Sequence, residues 1–424
     1  VLADLVQSNP DMVMPVINLI PEYGRYDDLW CLLDNDESAN AVYQIVDKQL
    51  KSDWENMNAG KPISILAKWM PSINASAAKT KEYGKKLCKA LNMTEREYRK
   101  ALSKLRKYLD VVEVKMSDKN WSEIKYEAVP SRANLIYNNA FLRSDEERRR
   151  AYLGKLEKGE TKINASILFP HDIVHKYMNY GRYIKSKDAT IEALWKALPD
   201  TVKGCGNTIV VADGSGSMTC TVDNSSRVTA LEVANALAIY FAERSSGQFK
   251  DKYITFSERP QLVDFSNCKT LHDKLNVALM HNEVANTKTE KVFDLILASA
   301  ISNNMRQEDL PQNILIISDM EFDRARGYGR TYDWATRTYK TNNATPETLM
   351  EGIARKWREC GYQMPHLIFW NVDARQNNIP MLGNGPISYV SGFSPSIFQT
   401  IMTGKTGYDL MMEKLNSERY AVIQ

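Results

Sequence analysis

The feature that most constrains the fold is an apolar run, Thr208–Ala212, followed at once by the turn Asp213-Gly214-Ser215-Gly216-Ser217. A short run rich in β-branched residues is typical of a buried parallel strand. The glycines allow a tight turn in which the oxygens of Asp213, Ser215 and Ser217 can converge on one point. A carboxylate and two hydroxyls are hard ligands, so the turn predicts a divalent metal site, with Mg²⁺ favoured and Mn²⁺ or Ca²⁺ as alternatives. A generic glycine–serine turn is the competing interpretation.

Strands and helices alternate throughout residues 201–424, which predicts a doubly wound α/β domain with a mostly parallel sheet. Ligands of such sheets bind at the carboxyl ends of the strands. Asp319 follows the predicted strand 313–318 directly and is therefore expected beside the turn. Thr287 precedes a predicted helix and is expected to add a hydroxyl, with Thr289 as its neighbour and competitor. Further strands are predicted at 252–256, 261–265, 366–372 and 387–391, and helices at 227–244, 271–279, 292–303 and 346–360.

Catalytic interpretations of the same turn are disfavoured. A hydrolase nucleophile elbow needs Gly-x-Ser-x-Gly, and a phosphate-binding P-loop needs Gly-Lys-Ser/Thr, and this turn has neither pattern. No acid–base pair or multi-carboxylate nuclease site stands out, so the chain is not expected to be an enzyme. His171 and His175 lie four residues apart and could share a helix face, but without an evident third ligand they are predicted to be structural.

Residues 1–200 predict an α-helical domain, with the domain boundary near residue 200. Lys79–Leu91 places Tyr83, Leu87 and Leu91 on one helix face, and Thr94 has the pattern of an N-cap for a helix that runs through Leu109. Successive short helices of this kind predict a HEAT-like helical-repeat array.

The charge of the chain is unevenly distributed. Its formal net charge is +3, but residues 51–200 carry 30 basic and 19 acidic side chains, whereas residues 1–50 carry 2 basic and 9 acidic ones. A basic middle region on a nearly neutral chain predicts a polyanionic partner, and the alternative is a set of solvated, lysine-rich helices. The candidate phosphate contacts in this region are Lys85, Lys86, Arg96, Arg99, Arg148 and Arg149.

The segment Asp323–Lys340 mixes arginines with tyrosines and a tryptophan. Arginines that bind phosphates beside aromatic rings that stack on bases are the combination that holds single-stranded RNA. The segment is therefore a candidate RNA clamp, and the alternative is an insertion that is either flexible or packed on the helical domain. Its candidate contacts are Arg324, Arg326, Arg330 and Arg337.

The order Asp213-x-Ser215-x-Ser217, then Thr287, then Asp319 resembles the metal-ion-dependent adhesion site of von Willebrand factor A domains. The resemblance implies that the serines and the threonine bind the metal directly or through water. It implies that the aspartates often act through water, and that one coordination position stays open for an acidic group on a partner. The glycine that usually precedes the threonine is Asn286 here.

Pro21–Trp30 resembles a phrase of the TROVE family, which includes the Ro autoantigen and its bacterial orthologues. Ile63–Trp69 and Ser318–Asp323 resemble phrases of an uncharacterised TROVE-like family with the same two halves. The resemblance implies a ring of helical repeats closed by a von Willebrand A domain, and binding of small noncoding RNA and of misfolded RNA ends. An RNA-binding ribonucleoprotein scaffold is therefore expected. The alternative is a metal-dependent module that binds a carboxylate of a partner protein.

The chain begins with Val1 inside a predicted helix, so we expect it to start within a longer protein. Six scattered cysteines, at positions 31, 88, 205, 220, 268 and 360, predict reduced thiols and a cytoplasmic protein. No apolar run approaches the ~20 residues that span a membrane, so no membrane segment is expected.

Overall fold

The computed structural model describes residues 2–179, 183–203, 207–222, 227–281, 289–319, 331–333, 338–340, 349–373, 381–384, 387–392 and 407–423. The chain forms two compact units, Val1–Lys125 with Val422–Gln424, and Tyr126–Ala421. No helix in these residues is long and apolar enough to cross a membrane. The five cysteines among them are free thiols.

The first unit is helical, as predicted for this part of the chain. Leu29, Val42, Leu66, Leu87 and Leu105 form the centre of its core and are fully buried. Its helices vary in length from 4 to 23 residues, and the predicted HEAT-like repeat stays a prediction. The α-helices are α1 (Leu2–Ser8), α2 (Pro10–Val13), α3 (Ile20–Tyr23), α4 (Asp36–Asn58), α5 (Leu66–Trp69), α6 (Ala78–Ala90), α7 (Glu95–Tyr108) and α8 (Val112–Ser117), with 3-10 helices at Met14–Leu19, Tyr26–Asp34 and Trp121–Glu123.

Helix α7 begins at the predicted N-cap. The Thr94 hydroxyl accepts a hydrogen bond from the Glu97 backbone N–H at 3.3 Å, and the Glu97 carboxylate accepts one from the Thr94 N–H at 2.8 Å. This reciprocal pair satisfies two backbone donors at the start of the helix. The buried face of α7 carries Tyr98, Leu102 and Leu105, and most of its basic residues face outward, whereas the half-buried Arg106 donates to the Ala67 and Met70 carbonyls.

The second unit is built around a seven-stranded sheet with the strand order β10-β11-β9-β6-β3-β4-β5, in which the two edge strands are antiparallel and the five others parallel. Every predicted strand is present, with bounds within one residue of the prediction. The strands are β1 (Met178–Asn179), β2 (Tyr183–Ile184), β3 (Thr208–Asp213), β4 (Lys252–Phe256), β5 (Leu262–Asp264), β6 (Asn313–Ser318), β7 (Thr331–Asp333), β8 (Thr338–Lys340), β9 (His366–Asn371), β10 (Met381–Asn384) and β11 (Ile387–Ser391).

Three features of the second unit were not predicted. The β1–β2 hairpin lies in the part expected to be wholly helical, β7 pairs with β8, and β10 adds an antiparallel edge to the sheet. The α-helices are α9 (Ser131–Ser144), α10 (Glu146–Glu157), α11 (Pro170–Tyr177), α12 (Ala189–Lys196), α13 (Ala230–Arg244), α14 (Leu271–Met280), α15 (Thr289–Ser302), α16 (Leu349–Glu359) and α17 (Gly407–Leu415), with 3-10 helices at Tyr126–Ala128, Ser217–Thr219, Gly247–Phe249, Gln307–Asp309 and Glu418–Tyr420.

The boundary between the compact units differs from the predicted boundary near residue 200. Helices α11 and α12 precede residue 200, yet their apolar side chains share one core with α13 and one face of the sheet. Burying these faces against the sheet removes apolar area from water, so residues 126–200 belong to the sheet unit. Helices α15 and α16 cover the opposite face.

Arg149 lies inside the second unit and is fully buried. Its guanidinium stands 4.9–5.4 Å from the ring centroids of Tyr126, Phe141 and Tyr152. It donates to the Asn138 Oδ1 at 3.4 Å, and the Asn138 Nδ2 in turn donates to a carboxylate, that of Asp188, at 2.9 Å. A side chain without solvent contact cannot bind a phosphate, so the prediction of Arg149 as an RNA contact is wrong.

Because Arg149 joins α9, α10 and α12 through aromatic and polar contacts, Arg149→Ala should lower the free energy of unfolding by about 3 kcal/mol. Its neighbour Arg148 is exposed and pairs with Asp145 at 2.9 Å, so Arg148→Ala should cost less than about 1 kcal/mol. Urea unfolding of both variants tests this difference. Equal losses would contradict the internal role of Arg149.

Candidate functional site

Polar side chains end three neighbouring strands of the sheet. Asp213 ends β3, Ser318 ends β6 and Asn371 ends β9, and strand register places Ser318 directly beside Asn371. Side chains alternate between the two faces of a strand. These three residues continue the face of the sheet that α15 and α16 cover. We call Asp213, Ser318 and Asn371 the strand-end row.

Hydrogen bonds hold the Asp213 carboxylate at both oxygens. The Ser318 hydroxyl donates to the Oδ2 of Asp213 at 2.7 Å, and the Ser215 backbone N–H donates to its Oδ1 at 2.9 Å. The hydroxyls of Ser215 and Ser217 lie 3.0 Å apart. The turn therefore brings the two hydroxyl groups together beside a carboxylate of fixed orientation.

Asp319 lies at the same edge and is 1% exposed, while Asp213 is 3% exposed. The Asp319 backbone N–H contacts the sulfur of the fully buried Met218 at 3.1 Å, which joins Asp319 to the end of the turn. Burial raises the pKa of Asp213 above its ordinary value, and the charge of Asp319 adds to this rise, whereas hydrogen bonds from Ser318 and Ser215 oppose it. The site thus concentrates negative charge where water is largely excluded.

The donors at this edge fit a hard divalent cation. Carboxylates and hydroxyls are oxygen ligands, and a cation would offset the repulsion between Asp213 and Asp319. No three His, Cys, Asp or Glu side chains are grouped as metal ligands in the part of the chain that the structure describes. The donor set here combines aspartates with serines instead. Thr287 lies outside the described residues, and Thr289 is the first residue of α15.

Three further polar residues lie at this edge and were not predicted. Asn371 ends β9, Asp373 lies two residues beyond it, and Ser257 follows β4; they are 4%, 3% and 2% exposed. The side-chain N–H groups of Asn371 and the hydroxyl of Ser257 have no hydrogen-bond partner among the described residues. The rule that ligands bind at strand ends could have indicated them.

The two histidines of α11 make contacts within the second unit. The Nδ1 of His175 lies 2.9 Å from the Oε2 of Glu232, a fully buried residue of α13. Burial lowers the pKa of His171 to about 4, so this ring is neutral at physiological pH. Both side chains take part in the packing of α11.

The predicted RNA contacts of the helical region differ in availability. Lys85, Arg96 and Arg99 are exposed. Lys86 donates to the Leu33 carbonyl at 2.9 Å and pairs with Asp34 at 3.1 Å, and Arg148 pairs with Asp145. Four of the six candidates are therefore exposed, of which Arg148 is paired with an acidic residue; Lys86 is half-buried and paired, and Arg149 is buried.

The arginines of the candidate RNA clamp lie outside the described residues. Of that segment, the structure describes only the short strands β7 and β8. The contacts predicted for that segment stay predictions; they are those of Arg324, Arg326, Arg330 and Arg337.

Two sequence families match the chain. Residues 24–208 match the family described as Domain of unknown function (DUF2828), and residues 207–421 match the family described as Domain of unknown function (DUF7788). The two matches overlap at residues 207–208, where β3 begins.

The proteins similar to the chain include a curated viral protein and a solved bacterial structure. Uncharacterized protein L728 of Acanthamoeba polyphaga mimivirus is 29% identical over 388 residues, and the match covers 84% of this chain and 62% of that protein's length. The crystal structure of the Ro (RSR) protein of Deinococcus radiodurans matches with 14% identity and a TM-score of 0.35, over 95% of this chain and 93% of that one. At this TM-score the superposition does not establish a shared fold.

The strand ends allow a matched comparison of two buried serines. Ser318→Ala removes the donor to Asp213 and should lower the free energy of unfolding by about 1–2 kcal/mol. Ser257→Ala removes a hydroxyl without a described partner and should change it by less than about 0.5 kcal/mol, or stabilise the protein. Urea unfolding in the presence of a chelator measures both. A large loss for Ser257→Ala would show that its hydroxyl is bonded after all.

Proposed function

The chain belongs to the family described as Domain of unknown function (DUF7788), and from its own residues we propose that it is an RNA-binding scaffold of the ribonucleoprotein type. In this proposal, helices α6 and α7 bind the phosphates, and a von Willebrand A-type domain carries a divalent metal at Asp213. The TROVE-like phrases of the sequence favour the same assignment. In this proposal the chain binds its ligands and catalyses no reaction.

The single observation that carries the RNA proposal is a basic stripe on α7. Arg96, Arg99, Lys100, Lys104 and Lys107 are all exposed. At 3.6 residues per turn and ~1.5 Å per residue, they occupy one side of the helix over about 16 Å. Cations held on a rigid helix surface neutralise phosphates and release counterions, which gives salt-sensitive binding without a need for base contacts.

Helix α6 adds a second stripe of exposed lysines. Lys81, Lys85 and Lys89 follow one another at four-residue spacing and are exposed. On the same helix, Lys79 and Lys86 pair with Asp34 and Glu82. The helix thus carries lysines available to a ligand and lysines already paired within the protein.

An aromatic ring lies beneath the α7 stripe. The ammonium group of Lys104 stands 5.0 Å from the ring centroid of Trp54, and this side chain is half-buried. Basic residues beside a partly exposed ring are the combination used to hold single-stranded nucleic acid. Single-stranded RNA is therefore the preferred ligand of this surface.

We expect Arg96→Ala/Lys100→Ala/Lys104→Ala to weaken binding of single-stranded RNA by about tenfold and to lower the salt dependence of log K by about 2, because three phosphate contacts are lost. Filter binding by the full chain at several salt concentrations measures both quantities. RNA binding by the wild-type chain that is absent or insensitive to salt would contradict the proposal.

Helix α6 supplies the control. Lys85→Ala/Lys89→Ala and Lys79→Ala/Lys86→Ala remove the same number of charges from one helix, but only Lys79 and Lys86 form ion pairs among the described residues. The first variant should weaken RNA binding several-fold and lower the salt dependence, whereas the second should change neither appreciably. Equal effects would show that overall net charge, rather than the exposed stripe, determines binding.

A second candidate function rests on the strand ends. We propose that Ser215, Ser217 and Asp319 hold a divalent cation, with Asp213 oriented by Ser318 and Ser215 to bind through water, and that the site takes a carboxylate of a partner protein. The bound cation would supply a positive charge that attracts an anionic oxygen. The residues supply a rigid, recessed set of oxygens, which excludes bulky ligands.

If the strand ends bind a cation, Mg²⁺ or Mn²⁺ should raise the free energy of unfolding by about 1.4 kcal/mol at ten times its Kd. Asp213→Ala should abolish this increase. Asp309→Ala, which removes an exposed carboxylate paired with Arg306, should retain it. Thermal unfolding with and without the metal measures the effect, and an unchanged increase in Asp213→Ala would rule out the proposed site.

A further inference from the structure

Asn371 is the member of the strand-end row whose side-chain donor has no partner among the described residues. It is 4% exposed, and its Nδ2 has no acceptor among the described residues. A buried donor without an acceptor costs about 1–3 kcal/mol, so its presence needs an explanation. A ligand that reaches the strand ends would provide one.

The orientation of the Asn371 amide follows from its other hydrogen bond. Its Oδ1 accepts from the Asp373 backbone N–H at 2.9 Å. A backbone N–H can only donate, so the oxygen must occupy this position and the NH₂ group must occupy the other. The free atom is therefore a donor, which cannot bind a cation and requires an oxygen acceptor.

Asn371 lies on the strand next to β6, after which Asp319 follows. Ser318 is its partner in strand register, and Asp319 follows Ser318. Neighbouring strands lie about 4.8 Å apart. The two oxygens of one anion can therefore be shared between a cation at Ser215, Ser217 and Asp319 and the donor on the next strand.

We propose that Asn371 recognises the second oxygen of a carboxylate whose first oxygen binds the cation, and that this carboxylate belongs to an acidic side chain of a protein partner. The inference rests on the proposed metal site. A carboxylate at the end of a flexible side chain reaches a recessed site, whereas a phosphodiester carries a chain on each side. Asp213, Asp319 and Asn371 are each less than 5% exposed, which favours the carboxylate.

The test uses the full chain, Mn²⁺ and acetate as the smallest carboxylate probe. Mn²⁺ affinity is measured first by electron paramagnetic resonance, and acetate is then titrated into the Mn²⁺-loaded protein. Asn371→Ala should leave the Mn²⁺ affinity unchanged and weaken acetate binding about tenfold, the effect of losing one hydrogen bond to a charged oxygen. Asn371→Asp keeps the shape and the acceptor for Asp373 but replaces the donor with an anionic oxygen, so it should weaken acetate binding further.

Asn313 provides the matched control, because it is an equally buried asparagine at the opposite end of β6, where it donates to Thr208 at 3.2 Å. Asn313→Ala should retain acetate binding. Unchanged acetate affinity in both Asn371 variants, with Mn²⁺ bound, would overturn the role of Asn371 while the metal site stands. Failure of Mn²⁺ to bind the wild-type protein would overturn both. Tighter binding of dimethyl phosphate than of acetate would overturn the assignment to a carboxylate.

Discussion

Two carboxylates, Asp213 and Asp319, are held at the carboxyl ends of adjacent parallel strands with almost no solvent exposure. Charges removed from water are costly unless they are hydrogen-bonded or neutralised, and each of these two raises the cost of the other. Ser318 and the Ser215 backbone reduce that cost at Asp213. A divalent cation between the strand ends would remove most of the remaining electrostatic cost.

The surrounding structure holds these two carboxylates in place. The parallel strands end at one edge, helix α13 follows the turn and is buried for most of its length, and Met218 joins the turn to Asp319. The helices that precede residue 200 complete the same core, so the sheet unit includes residues that look, by composition, like part of the helical region. The basic stripes lie in the other unit, which separates the residues proposed for RNA from those proposed for the metal.

Local sequence pattern was sufficient to predict the strands of the main sheet up to β9, and β11 beyond it. It also placed Asp213 and Asp319 at strand ends, since each directly follows a run of buried apolar residues. Thr94 was also predictable as an N-cap, because the sequence signal for it lies within four residues. By contrast, Arg149 stands in a run of three arginines that looks like a surface cluster. Its burial depends on aromatic residues from several helices, which no local pattern shows.

Asn371 and Ser257 are intermediate cases. The rule that ligands bind at the ends of strands applies to both residues, but a single asparagine or serine after a strand is common. Only the packed structure shows that their polar groups are buried without a described partner. The two family matches divide the chain near the predicted domain boundary, at residues 207–208, whereas the compact units divide at residue 125. The change in sequence pattern near residue 200 marks the first long strand. The compact unit begins earlier because α11 and α12 pack against α13 and the sheet.

The most direct measurement of the central claim is an anomalous difference map from a crystal of the full chain grown with Mn²⁺. The account predicts one strong peak at the ends of β3 and β6, about 2.0–2.4 Å from the hydroxyl oxygens of Ser215 and Ser217. A map without a peak at these strand ends, in crystals that hold Mn²⁺ elsewhere, would contradict it.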